Sequence, residues 1–283
     1  MSTKTHLSAW PIPAHALVIL GALSATMAAQ AVGLTDTGQT LCYNGSAMVA
    51  CDAITTGDSA AYPAQDGRFG RDAAATAGQL SKTGGGEAGF DYTRVCNSGE
   101  LAGVGSCPAN PVLGSGNDDW GCTKDNITGL TWEVKIDDAT HLRHRDWSYS
   151  WYSTDNTTNG GYAGTPDGGD NCLDTTRCDT EKFVTDVNTT GLCGNSDWRM
   201  PHINELQTLT HYGKTYNSAL FDKGYFPNTN TNTQTVMFYW SAMSLAILDP
   251  SRWAWAWRGS SESLGRSSKS TAYFVRLVRG GQP

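Results

Sequence analysis

Three tryptophans, Trp253, Trp255 and Trp257, stand at spacing two near the end of the chain. In an extended strand such residues share one face, so the indoles would form a row. Aromatic faces stack on the apolar C–H faces of sugar rings, and they also build cores. A buried role is expected for at least two of the three, with one indole left at an edge. The alternate positions carry Arg252, Ala254, Ala256 and Arg258. From Pro250 to Pro283 six bases, Arg252, Arg258, Arg266, Lys269, Arg276 and Arg279, face a single acid, Glu262, for a local charge of +5. Such a patch attracts sulfate or carboxylate groups in a salt-dependent way, and the planar fork of arginine matches those anions. The candidate ligand-binding residues are therefore Arg252, Trp253, Trp255, Arg258, Arg266 and Lys269. Arg276 sits inside an apolar strand, Val275 to Val278, and is expected to be a paired structural residue.

Other chemistries are weaker. The acids Asp155, Asp167, Asp170 and Asp174 cluster with Asn156, Asn159 and Asn171 in one polar stretch. Oxygen-rich loops can hold calcium, and Asp167 and Asp170 are the candidate ligands, although EF-hand spacing is absent and plain solvation competes. His141 and His144 have ligand spacing for one helical turn, but Arg143 and Arg145 flank them without a carboxylate in register, so solvated polar residues are expected. No Gly-x-Ser-x-Gly elbow is present. The eight cysteines contain no Cys-x-x-Cys pair and do not follow zinc-finger spacing. An even count in an exported chain reads as four disulfides. Many pairings remain open. Short loops suggest Cys42–Cys51, Cys96–Cys107 and Cys172–Cys178, which leaves Cys122–Cys193.

The elements that would carry these residues follow from the rest of the 283-residue chain. Residues 1–31 look like a secretory signal peptide: Lys4, an apolar run from Ala14 to Leu23, and Ala29-Gln30-Ala31 as the cleavage pattern. The run is about half the roughly 20 residues a spanning helix needs, so no transmembrane segment is expected after cleavage. Net charge is −7, and −8 without that segment, which excludes a generic nucleic-acid binder. High Trp and Tyr content excludes a wholly disordered chain. Residues 32–116 hold no Trp and are rich in Gly, Ala, Ser and Thr. Short extended pieces stapled by disulfides are expected there, with Gly84 to Gly86 as a flexible joint.

Residues 117–283 contain all nine remaining tryptophans and form the main domain. Leu130, Trp132 and Val134 alternate as in a half-buried strand. Asp179 can cap a helix from Thr180 to Thr190, stopped by Gly191. A second helix should start near Pro201 and end at Gly213. Strands are expected at Val236–Ser241, Arg252–Arg258 and Ala272–Val278. The order reads as α+β.

Four phrases carry a family resemblance: Asp125–Glu133 (DNITGLTWE), Asp197–Leu206 (DWRMPHINEL), Tyr239–Ala242 (YWSA) and Tyr273–Gly281 (YFVRLVRGG). Together they resemble the Legionella collagen-like protein C-terminal domain family, and Gln65–Arg71 (QDGRFGR) is similar to the leader of such exported bacterial proteins. The resemblance implies a C-type-lectin-like fold, shared with formylglycine-generating enzymes, with two helices and a twisted antiparallel sheet. It also implies a surface-exposed binding or adhesion role, with sulfated polysaccharides as ligands of the best-known relatives. The family pattern has Thr at the position of His202, where His is a poorer helix cap. Formylglycine-type oxidation uses late cysteines, and none follows Cys193. The expectation is an exported, non-catalytic module, periplasmic, at the cell surface or secreted, that binds a glycan or surface polymer. The alternatives are a self-assembling structural subunit or, less favoured, an enzyme of that fold.

Overall fold

A computed structural model describes residues 35–54, 62, 64–214, 220–229, 238–245, 252–260 and 263–281. The signal-peptide reading of residues 1–31 and the start of the strand expected from Val236 lie outside them. The described residues form mixed α+β structure with few helices, in which no helix is long and apolar enough to cross a membrane.

The N-terminal part opens with a hairpin, β1 (Leu41–Tyr43) and β2 (Met48–Ala50). Its turn is set by Asn44, whose side-chain oxygen accepts the N–H groups of Ser46 and Ala47, both at 2.9 Å. Two short helices follow, α1 (Asp66–Phe69) and α2 (Arg71–Thr76), where extended pieces alone were expected. They can pack tightly on the hairpin because residue 67 is glycine: a Cβ there would lie 2.4 Å from the Leu41 carbonyl oxygen. Gly84 to Gly86 is no free joint. The Asp91 carboxylate accepts the Thr83 and Gly84 N–H groups at 2.8 and 2.7 Å, and Gly85 and Tyr92 exchange two backbone bonds.

A four-stranded antiparallel sheet has the order β11 (Val278–Arg279), β5 (Thr131–Glu133), β4 (Trp120–Asp125) and β3 (Tyr92–Cys96). Because β3 precedes residue 117, this sheet spans the compositional boundary seen in the sequence. The strand expected to be half-buried is buried on both faces: Trp132 and Glu133 are both inaccessible. Glu133 tolerates this because Lys135 sits 2.7 Å from one carboxylate oxygen and the Leu277 N–H donates to the other at 2.9 Å. Arg276 is likewise buried. It donates to the Glu133 carbonyl at 2.6 Å and lies over the rings of Phe221 and Phe226 at 5.2 and 5.3 Å.

The second sheet has the order β6 (Ser148–Tyr149), β10 (Tyr273–Phe274), β7 (Phe238–Ser244), β8 (Trp253–Arg258), β9 (Leu264–Ser268). It is not wholly antiparallel, since β10 pairs with β7 in parallel. The single strand expected over Ala272–Val278 is two strands in two sheets. Val275 to Leu277 cross between them fully buried, so an apolar run mimics a continuous strand.

Helix α3 (Thr180–Thr190) has the expected punctuation: Asp179 accepts the Lys182 N–H at 2.9 Å, and Gly191 ends it at φ +66°. Helix α4 (Ile203–Gln207) is shorter than expected. Bonds of the i to i+3 type tighten the chain through Thr208, Leu209 and Thr210, and the Thr208 hydroxyl takes the Glu205 carbonyl. His202 does cap this helix. Its Nδ1 accepts the Asn204 N–H at 3.4 Å, while Glu205 accepts the His202 N–H at 2.7 Å and is itself gripped by Arg199. The weak half of the box is thus carried by the strong half.

All eight cysteines are joined, as Cys42–Cys51, Cys96–Cys107, Cys122–Cys193 and Cys172–Cys178. The third ties β4 to the turn after α3. Two apolar cores result. One gathers Trp151, Phe183, Trp198, Trp240, Ala254 and Ala256. The other gathers Trp132, Leu206, Phe221, Tyr239 and Trp257.

Candidate functional site

The two cores lie on opposite faces of β8, and this grades its tryptophans. Ala254 and Ala256 point into the first core. On the other face Trp257 is 0% exposed, edge-on to Phe221 at 5.0 Å; Trp255 is half-buried; Trp253 is 39% exposed. The row therefore runs from core to solvent along one strand.

The neighbouring strand completes this face. In the β8–β9 pair Trp255 stands opposite Arg266, and Trp253 opposite Ser268. Directly opposed residues share a sheet face, so the exposed Arg266 lies beside the half-buried indole. Gly265 points the other way, where a Cβ would come 2.7 Å from the Phe238 ring. A larger residue there would push β9 off β8 and misplace Arg266. Trp253, Trp255 and Arg266 thus form one continuous, partly exposed surface of two indoles and a guanidinium.

The other three candidates do not join it. Arg258 pairs with Phe238 on the alanine face and is half-buried. Arg252 is exposed but precedes the strand, in the alternate phase. Lys269 is 0% exposed: its ammonium donates to the Asn159 and Tyr162 carbonyls at 2.8 and 2.7 Å and lies 4.1 Å from the Trp151 ring centre. Burial lowers its pKa to about 8. A local count of +5 could not reveal that one cation braces the loop from within.

The polar loop also departs from expectation. Asp167 is engaged by Lys182 and by the Cys178 N–H at 3.1 Å, and these bonds outweigh partial burial to hold its carboxyl below the usual range. Asp170 is exposed. Asp155 and Asp174 each accept from the threonines that follow them, in local turns. Three of the four carboxylates, those of Asp155, Asp167 and Asp174, are thus spent on holding the loop's conformation. His144 is buried against Trp147, with ring centres 4.9 Å apart, and is not a solvated residue. His141 uses Nδ1 to accept the Arg143 N–H at 3.0 Å, and burial lowers its pKa.

A concave feature elsewhere escaped the sequence reading. A groove of about 370 Å³ is lined by Leu142, Tyr149, Leu173, Arg177 and Asp186, among others. Arg177 and Asp186 form a forked ion pair at its rim, at 2.5 to 2.9 Å. The Tyr149 hydroxyl is buried and has no hydrogen-bond partner among the described residues. The residues come from four separate segments, so no local pattern announces it.

Comparison with known proteins adds one result. The family model described as the Lcl C-terminal domain matches residues 121–279. No curated protein and no solved structure matches the chain.

Proposed function

Since the chain belongs to the Lcl C-terminal domain family, we propose that it is an exported, non-catalytic binding module whose Trp253–Trp255–Arg266 face takes an anionic glycan or a similar surface polymer. The observation that carries this reading is Trp253, left 39% exposed on a strand whose other indoles are increasingly buried. An indole held on a rigid strand offers a flat apolar platform at little cost in side-chain freedom. Arg266 beside it offers the fork that sulfate or carboxylate groups require. The two helices α3 and α4 beside largely antiparallel strands are in keeping with the C-type-lectin-like fold. All eight cysteines are in disulfides, which supports an oxidising, non-cytoplasmic compartment and reserves no thiol for chemistry.

A second reading, self-assembly, is favoured by β9, which among the described residues has a strand partner on one side only. Retention on heparin at rising salt tests the first reading. The wild type should elute later than Trp253→Ala and Arg266→Ala, each with an unchanged melting temperature. Equal elution of all three, together with concentration-dependent sedimentation, would favour assembly.

A further inference from the structure

Three carboxylates from separate stretches of the N-terminal part converge. Asp36 precedes β1, Asp66 opens α1 and Asp72 lies in the first turn of α2. One oxygen from each lies within 4.8 Å of the others. Asp36 is 4% exposed and Asp72 2%. Asp36 is held by its Oδ2, which accepts the N–H groups of Gly38 at 3.0 Å and Gly89 at 2.8 Å; its Oδ1 is buried without a partner. Both oxygens of Asp72 are also buried without a hydrogen-bond partner. Asp66 accepts from the Thr37 hydroxyl.

Nearby cations are turned elsewhere. Arg68 donates to the Cys51 carbonyl at 2.6 Å and Arg71 to the Gly89 carbonyl at 3.1 Å. Buried carboxylate oxygens that meet neither a donor nor a cation are strongly disfavoured, so Asp36 Oδ1 and the two Asp72 oxygens, on carboxylates that converge with Asp66, need a partner. The donor set is all oxygen and triply negative. Nitrogen and sulfur, which softer metals prefer, are absent from the three. Hard, flexible, oxygen-rich coordination suits calcium better than magnesium, which demands near-ideal octahedral geometry.

We infer that Asp36, Asp66 and Asp72 form a calcium site that fastens the N-terminal segment to the loop at Gly89. The site lies outside the family match at residues 121–279 and is independent of the indole–arginine face. Calorimetric titration of the metal-stripped full chain with calcium chloride tests it, with magnesium chloride as comparison and Asp72→Asn and Asp170→Asn as variants. The wild type should bind one calcium saturably and melt at higher temperature with it. Asp72→Asn should weaken binding by at least about tenfold and lose the melting shift, while Asp170→Asn titrates as wild type. If Asp72→Asn does not fold, Asp66→Asn, at the more accessible member, replaces it with the same expectation. Absence of calcium-dependent heat in the wild type would overturn the assignment. So would equal affinity for magnesium, an Asp72→Asn titration like the wild type, or loss of binding in Asp170→Asn.

Discussion

Two of the clusters in which the molecule buries charge are treated in opposite ways. At Glu133, Lys135 and Arg276 the opposing charges come from the chain itself, and the Leu277 N–H and the Glu133 carbonyl take up further bonds. At Asp36, Asp66 and Asp72 all the charges share one sign, and three buried oxygens have no partner. The first cluster is closed and belongs to the scaffold. The second is open and asks for an ion from outside. Buried charge alone is therefore a poor guide to function; what distinguishes a site is whether the protein answers its own charge.

The comparison can be broken most sharply at the closed cluster. Glu133→Ala strands the Lys135 ammonium and the Leu277 N–H, and urea denaturation should show a loss of about 3–5 kcal/mol. A loss under about 1 kcal/mol would mean that water reaches the cluster and that it is not closed. At the open cluster the same kind of change should do the reverse. With calcium removed, Asp72→Asn deletes an unanswered charge, so stability should hold or rise; a marked fall would show that the carboxylate is already paired.

Lys269 is an intermediate case, a buried cation answered by carbonyls. Its folded pKa of about 8 is below the value of about 10.4 for an exposed lysine, so the unfolded chain binds more protons between those limits. Stability should accordingly rise with pH from about 8 to 10, and the rise should flatten in Lys269→Met. Parallel curves would show that this ammonium is hydrated. The smallest effect is expected at the groove rim, where Arg177→Ala removes a partly exposed pair and should cost no more than about 1 kcal/mol by thermal melting.

Much of the fold was legible wherever the deciding interaction is local. Asp179 and Gly191 bracket α3 because a cap and a left-handed stop act within a few residues. The shared face of Trp253, Trp255 and Trp257 follows from strand geometry alone. What was hidden depends on the partner. Alternation at β8 does not say that Ala254 and Ala256 also face a core, nor that Arg266 falls opposite Trp255, because the hairpin register decides that. The run Ala272–Val278 reads as one strand because burial, and not pairing, keeps it apolar. The acidic trio is dispersed between residues 36 and 72 and resembles ordinary surface acids until the chain folds back at Gly89.

The Cys122–Cys193 bond has a mechanical consequence. Tension entering at β4 would cross directly to the turn after α3 by way of the two sulfur atoms. The intervening sequence separation is 71 residues, which holds most of the groove wall and would otherwise pay out roughly 240 Å of slack. Under load that folded stretch would be bypassed by the covalent bond and would carry none of the force.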